Sequence, residues 1–142
     1  MTVDSDSLQR FVDAQAGVYD DALAEITRGR KTSHWLWFIF PQLKELGHSE
    51  TARYFGIASR EEAKAYLEHP VLGTRLRQCV DRLMALDSSD PHAIFGSPDD
   101  LKLRSSLTLF AAVAGGDTGF EDALRRFYPD GPDDATVKIL RN

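Results

Sequence analysis

Two stretches of this 142-residue chain carry residue types at spacings that suit chemistry. In the first, Arg28, Arg30, Lys31 and His34 place four potential cations within seven residues, immediately beside Trp35 and Trp37, the two tryptophans of the chain. A flat anionic ligand such as a nucleotide suits that pairing, because its rings stack on tryptophan while guanidinium and ammonium groups hold phosphate. The same residues also have a purely structural reading: cations at a helix end complement its dipole, and aromatic runs mostly fill cores. The second stretch begins at Ser97-Pro98-Asp99-Asp100 and continues to Thr108. On a helix, Asp99, Lys102 and Ser106 fall at i, i+3 and i+7, which aligns a carboxylate, an ammonium and a hydroxyl on one face. Such a group can orient a water or a sugar hydroxyl, with Asp99 or Asp100 as the base and Lys102 and His34 holding an anion. Against this, acidic residues in a first turn stabilise a helix by charge alone. Ser105, Ser106 and Thr108 remain, three hydroxyls inside an otherwise apolar helix. Each needs a partner, either a carbonyl one turn back or the lining of a cavity.

The rest of the chain narrows the chemistry. Gln15 and Tyr19 share a helix face if one helix runs through Gly17, adding an amide and a phenol to whatever that face meets. Cys79 is the only cysteine and lies on an apolar stripe, which reads as a buried, inert thiol and excludes an internal disulfide. His34, His48, His69 and His92 show no metal-ligand spacing, and neither a glycine-rich phosphate loop nor a Gly-x-Ser-x-Gly elbow is present. No metal and no cofactor are therefore expected. A net charge of −5 argues against nucleic-acid binding, which needs a basic face. The longest apolar run, Trp35 to Phe40, is too short to span a bilayer, and Met1 to Ser7 lacks the basic and apolar regions of a secretory signal. The expectation is a cytoplasmic protein, monomeric or weakly self-associating, that does not bind membranes.

The elements that must position these residues all read as helices. Ser7 or Asp6 caps a first helix through Leu8, Phe11 and Val12, with a kink at Ala16-Gly17, and the pattern resumes from Val18 until Gly29 stops it. A short helix covers about 33–38, because Pro41 biases Phe40 away from helix. Another spans Glu50 to Tyr54. Ser59-Arg60-Glu61-Glu62 is a capping box. Pro70 fits a first helical turn, and Leu72, Leu76, Cys79, Leu83 and Leu86 form a stripe. Asp90-Pro91 and Ser97-Pro98 each open a further helix, the second running to Ala114 and apolar almost all round in its second half, so it is buried. Phe120, Leu124 and Phe127 mark another, Pro129-Asp130-Gly131-Pro132 turns the chain, and a last helix begins near Asp133. No strand pattern competes. The class is all-α: a compact, single-domain orthogonal bundle of seven or eight helices over 1–142, with 1–6 expected to be disordered.

Four motifs also carry a resemblance that covers most of the chain. They are Phe11-Val-x-Ala-Gln15, the segment from Gly29-Arg-Lys31 through His34-Trp-x-Trp37 to Pro41-Gln42, His69-Pro-x-Leu-Gly73-x-Arg75-Leu76, and the stretch from Ile94-Phe-Gly96 to Thr108-Leu-Phe110. Together they resemble the bacterial family known as domain of unknown function 1810, sometimes mislabelled calpastatin. The resemblance implies a compact helical single domain and transfers no catalytic role, since the family has no established activity. Leu36 and Leu107 stand where methionine is commoner, which is a volume-conserving exchange. Two function classes follow. One is a protein that binds, and as an enzyme would hydrolyse, a nucleotide-like anion in a pocket between His34-Trp35-Leu36-Trp37 and the Asp99 to Thr108 face. The other is a protein-interaction module in which an exposed tryptophan is the anchor.

Overall fold

The computed structural model describes residues 5–141. Ten α-helices follow in order: α1 (Ser5–Gln15), α2 (Tyr19–Arg28), α3 (Leu36–Ile39), α4 (Glu50–Tyr54), α5 (Arg60–Glu68), α6 (Leu72–Met84), α7 (Pro91–Phe95), α8 (Asp99–Val113), α9 (Gly119–Phe127) and α10 (Asp134–Arg141). The sequence predicts about seven or eight helices, some of them short; of the ten, α3, α4 and α7 are only four or five residues long. One isolated bridge, Leu43 to Ile57, is the sole β-type pairing among the described residues. The expected N-terminal disorder concerns residues 1–4, outside those described, and Ser5 and Asp6, which already belong to α1.

Sequence signals and helix boundaries agree where a cap is chemical. Ser59 accepts from the Glu62 N–H at 3.1 Å, and Asp90 accepts from the N–H groups of His92 and Ala93 with Pro91 in the first turn. At the end of α2, Gly29 and Arg30 donate back to Ile26 and Glu25, the paired closure of a Schellman motif. Two boundaries differ. Gly17 sits at φ +80°, so α1 and α2 are separate helices rather than one kinked helix. Pro70 lies before α6, and the His69 ring starts that helix instead, its Nδ1 accepting from the N–H groups of Val71 and Leu72 at 3.1 and 3.2 Å.

α8 is the central rod and touches α3, α5, α7, α9 and α10. A run of rings crosses the core beside it: Phe11 meets Tyr66 edge-on at 5.1 Å, Tyr66 meets Phe110 at 5.3 Å, and Phe110 meets Phe120 at 5.9 Å. Gly73 lets α6 begin hard against the end of α5. A Cβ there would stand 2.0 Å from the Leu67 carbonyl oxygen.

Candidate functional site

The segment between α2 and α3 is fixed by a residue that the sequence reading passed over. Glu25 lies on the buried face of α2 with Ala22 and Ile26, and is 4% exposed. It accepts from the N–H groups of Thr32 and Ser33 at 2.6 and 2.9 Å, from the Ser33 hydroxyl, and from Trp35 Nε1 at 3.0 Å. Burial alone would raise its pKa, but the Ser33 hydroxyl, the Thr32 N–H, the Trp35 indole and the Ser33 N–H together outweigh burial and hold it at about 2. The available signal was a lone acid on the apolar face of an amphipathic helix.

Lys31 folds back over this loop. Its N–H donates to the Ile94 carbonyl at 2.8 Å, and its ammonium donates to the Ser33 carbonyl at 2.6 Å. The same ammonium meets Asp99 Oδ2 at 2.8 Å and sits 5.2 Å from the Trp35 ring centre. With Lys31 only 7% exposed, lysine and aspartate largely neutralise each other. Asp99 is thereby committed to an ion pair and is poorly placed to act as a base. Trp35 is wholly buried and belongs to the core. Arg28 is exposed in the last turn of α2, where it complements the helix dipole.

Trp37, one turn-half further on, behaves differently. It is half-buried, with Lys102 Nζ 5.6 Å from its ring centre and the exposed His34 ring at 6.4 Å. The two elements expected to enclose a pocket thus do meet, but they pack shut. The gap among Leu36, Trp37, Phe40, Phe55 and Lys102 holds about 10 Å³, at the lower limit for one water. Beside it, Asp100 points one carboxylate oxygen to His92 Nδ1 at 3.4 Å, while its buried Oδ1 has no partner.

The hydroxyls of α8 divide. Ser105 donates to the Leu101 carbonyl at 3.2 Å and Thr108 to that of Arg104 at 2.7 Å, both one turn back. Thr108 also accepts from the Asp133 N–H at 2.9 Å. Ser106 is fully buried and its hydroxyl has no partner. Neither Ser105 nor Ser106 borders the cavity between α8, α9 and α10. Gln15 and Tyr19 sit on separate helices and serve the scaffold. Gln15 Nε2 donates to the Phe38 carbonyl at 2.7 Å, where the Tyr66 hydroxyl also donates at 3.2 Å, and Arg75 donates to Gln15 Oε1 at 3.2 Å. Tyr19 donates to Gln78 Oε1, with the Arg75 guanidinium 4.9 Å from its ring centre. Burial pushes the Cys79 thiol up to about 12, although its hydrogen bond with Tyr19 lowers it, so this thiol is inert.

Residues 5–140 match the family described as "Protein of unknown function (DUF1810)". The chain belongs to this family. It is also similar to a solved structure, the crystal structure of the conserved hypothetical protein Rv1873 from Mycobacterium tuberculosis, with 46% identity and a TM-score of 0.94 over 98% of this chain and 99% of that one. No curated protein matches the chain. Among the described residues, no helix is long and apolar enough to cross a membrane.

A cavity of this DUF1810 chain lies away from the aromatic segment. It occupies about 640 Å³ between α8, α9 and α10, walled by Ala111, Ala112, Leu124, Val137 and Leu140. Of the candidate hydroxyl residues only Thr108 borders it. No motif announced it: the Pro129 to Pro132 segment that helps shape its rim reads in sequence only as a turn.

Proposed function

We propose that the protein binds a small anionic molecule carrying a flat ring, on the open face of Trp37 between α3 and the start of α8, and performs no hydrolysis there. The observation that carries this reading is the pairing of one accessible indole with Lys102 Nζ at 5.6 Å and the His34 ring at 6.4 Å. Trp37 supplies a stacking surface, Lys102 an ammonium group, and His34 a ring N–H donor. Asp99 is withdrawn as a base by its ion pair with Lys31. Phosphate-bearing nucleosides are the ligand class, bound on the surface rather than in an enclosed pocket.

The test is a titration of the chain with ATP, ADP-ribose and NAD, read by quenching of tryptophan emission and by thermal shift. A ligand at 100 times its dissociation constant raises stability by about 2.7 kcal/mol. Lys102→Met and Trp37→Leu should each abolish the response at unchanged helix content. If no compound of the panel stabilises the wild type, or the Lys102 variant responds equally, this reading fails and the protein-interaction module takes its place.

A further inference from the structure

We infer that the cavity between α8, α9 and α10 is a second binding site, and that it takes a single-chain aliphatic carboxylate with its head group at the C-terminal end of α10. It shares neither Trp37 nor Lys102 with the site proposed above. Three observations carry the inference. The first is size: about 640 Å³ falls in the range of small-molecule sites, roughly 300–1,000 Å³.

The second is the lack of competition for water inside. The polar side chains on the inner wall are already engaged elsewhere. Thr108 uses its hydroxyl to donate to Arg104 and to accept from Asp133, and the Tyr128 hydroxyl donates to the Asp100 carbonyl. Apart from the charged groups of Arg60, Glu121, Arg125 and Arg141 and the ring of Tyr128, what remains facing the space is aliphatic. α10 illustrates the consequence: Thr136 is its one buried residue, while Val137 and Leu140 border the cavity and stay half-buried. An aliphatic tail would remove that surface from water.

The third is charge. Three arginines, Arg60, Arg125 and Arg141, border the cavity against a single acid, Glu121, in a chain whose net charge is −5. Arg125 is already shared between Glu121 at 3.1 Å and Asp122 at 3.8 Å. Arg60 donates one N–H to the Leu140 carbonyl at 3.1 Å, which places its guanidinium beside residue 141. Arg60 and Arg141 thus both border the trough near the last turn of α10. Guanidinium groups pair with carboxylates in a bidentate fashion, which selects an anionic head over a neutral or cationic one.

The test uses the full chain and three amphiphiles of equal tail length, decanoate, decanol and decyltrimethylammonium, each below its micelle concentration, followed by titration calorimetry. Decanoate should bind at least about tenfold more tightly than the other two. The double variant Arg60→Gln/Arg141→Gln should lose that preference while its affinity for decanol stays unchanged. Ala112→Trp, at an exposed position of the wall, should block all three; circular dichroism verifies that each variant keeps its helix content. Should Ala112→Trp unfold the chain, the arginine variant alone decides. Failure of decanoate to bind the wild type, equal affinity for the three amphiphiles, or a head-group preference that survives the arginine variant overturns the inference.

Discussion

The two halves of α8 face opposite kinds of surroundings. Toward its N-terminus, Asp99 and Lys102 meet α3 and the loop before it, Asp99 pairs with Lys31, and the seam closes to about 10 Å³. Toward its C-terminus, Thr108, Ala111 and Ala112 face α9 and α10 across about 640 Å³. The polar half is full and the apolar half is open. Charged and aromatic residues at helical spacing marked the place where the chain locks to itself. The larger open space lies instead where the short side chains of Ala111 and Ala112 face α9 and α10. Hydrogen bonds and ion pairs have fixed lengths and draw their elements together, whereas apolar faces set no distance unless large side chains fill the gap.

That contrast can be broken most directly at the tryptophans. Trp35→Ala should cost about 3–5 kcal/mol, the range for a buried aromatic, while Trp37→Ala should cost about 1 kcal/mol, as measured by urea unfolding. Equal losses would erase the distinction between a locked ring and an accessible one. Glu25→Ala should follow at about 2–4 kcal/mol, because the buried Trp35 N–H loses its acceptor. Glu25 also sets an acid limit. Its carboxyl titrates lower in the folded chain, at about 2, than in the unfolded one. Its contribution is therefore complete above about pH 5 and declines as pH falls toward 2. Unfolding midpoints between pH 6 and 3 should fall less steeply in Glu25→Gln; an identical acid slope would remove Glu25 from this role.

Smaller effects sharpen the comparison. Lys31→Met should cost about 1–2 kcal/mol by leaving Asp99 without its partner, and adding Asp99→Asn should recover part of the loss in a double-mutant cycle. Additive losses would show that the two side chains do not depend on each other. Ser106→Ala should be neutral or stabilising by up to about 1 kcal/mol, since it removes a buried hydroxyl that has no partner. A clear loss in a thermal melt would mean that this hydroxyl is satisfied in solution.

Much of the helical architecture was legible because its signals are local. Ser59, Asp90 and Gly29 act on backbone groups within a few residues, so their positions alone place the ends of helices. The approach of the Lys31 segment to the start of α8 was legible too, through the match of charge and ring. Other features depend on distant partners. Glu25 reads only as a lone acid on the apolar face of α2, and its partners appear when the loop of Thr32 and Ser33 folds over it. His69 displaces Pro70 as the helix starter only because its ring turns back onto Val71 and Leu72. The cavity is the extreme case: it is bounded by residues as far apart as Arg60 and Arg141, each unremarkable in its own stretch.

The contact at Gly73 also governs how the molecule opens. Because α6 starts against the Leu67 carbonyl, and Arg77 Nη1 donates to that same carbonyl at 3.1 Å, α5 and α6 have no slack between them. Their amides should exchange with solvent deuterium as one cooperative unit, at the slow end of the molecule. α10 is held by the Asp133 cap on Thr136, by the Asp133 N–H on Thr108, by one hydrogen bond from Arg60 and by packing chiefly on α8, so its amides should exchange sooner and as a separate unit. The chain thus has a rigid corner and a detachable edge, and the edge is the one that borders the cavity.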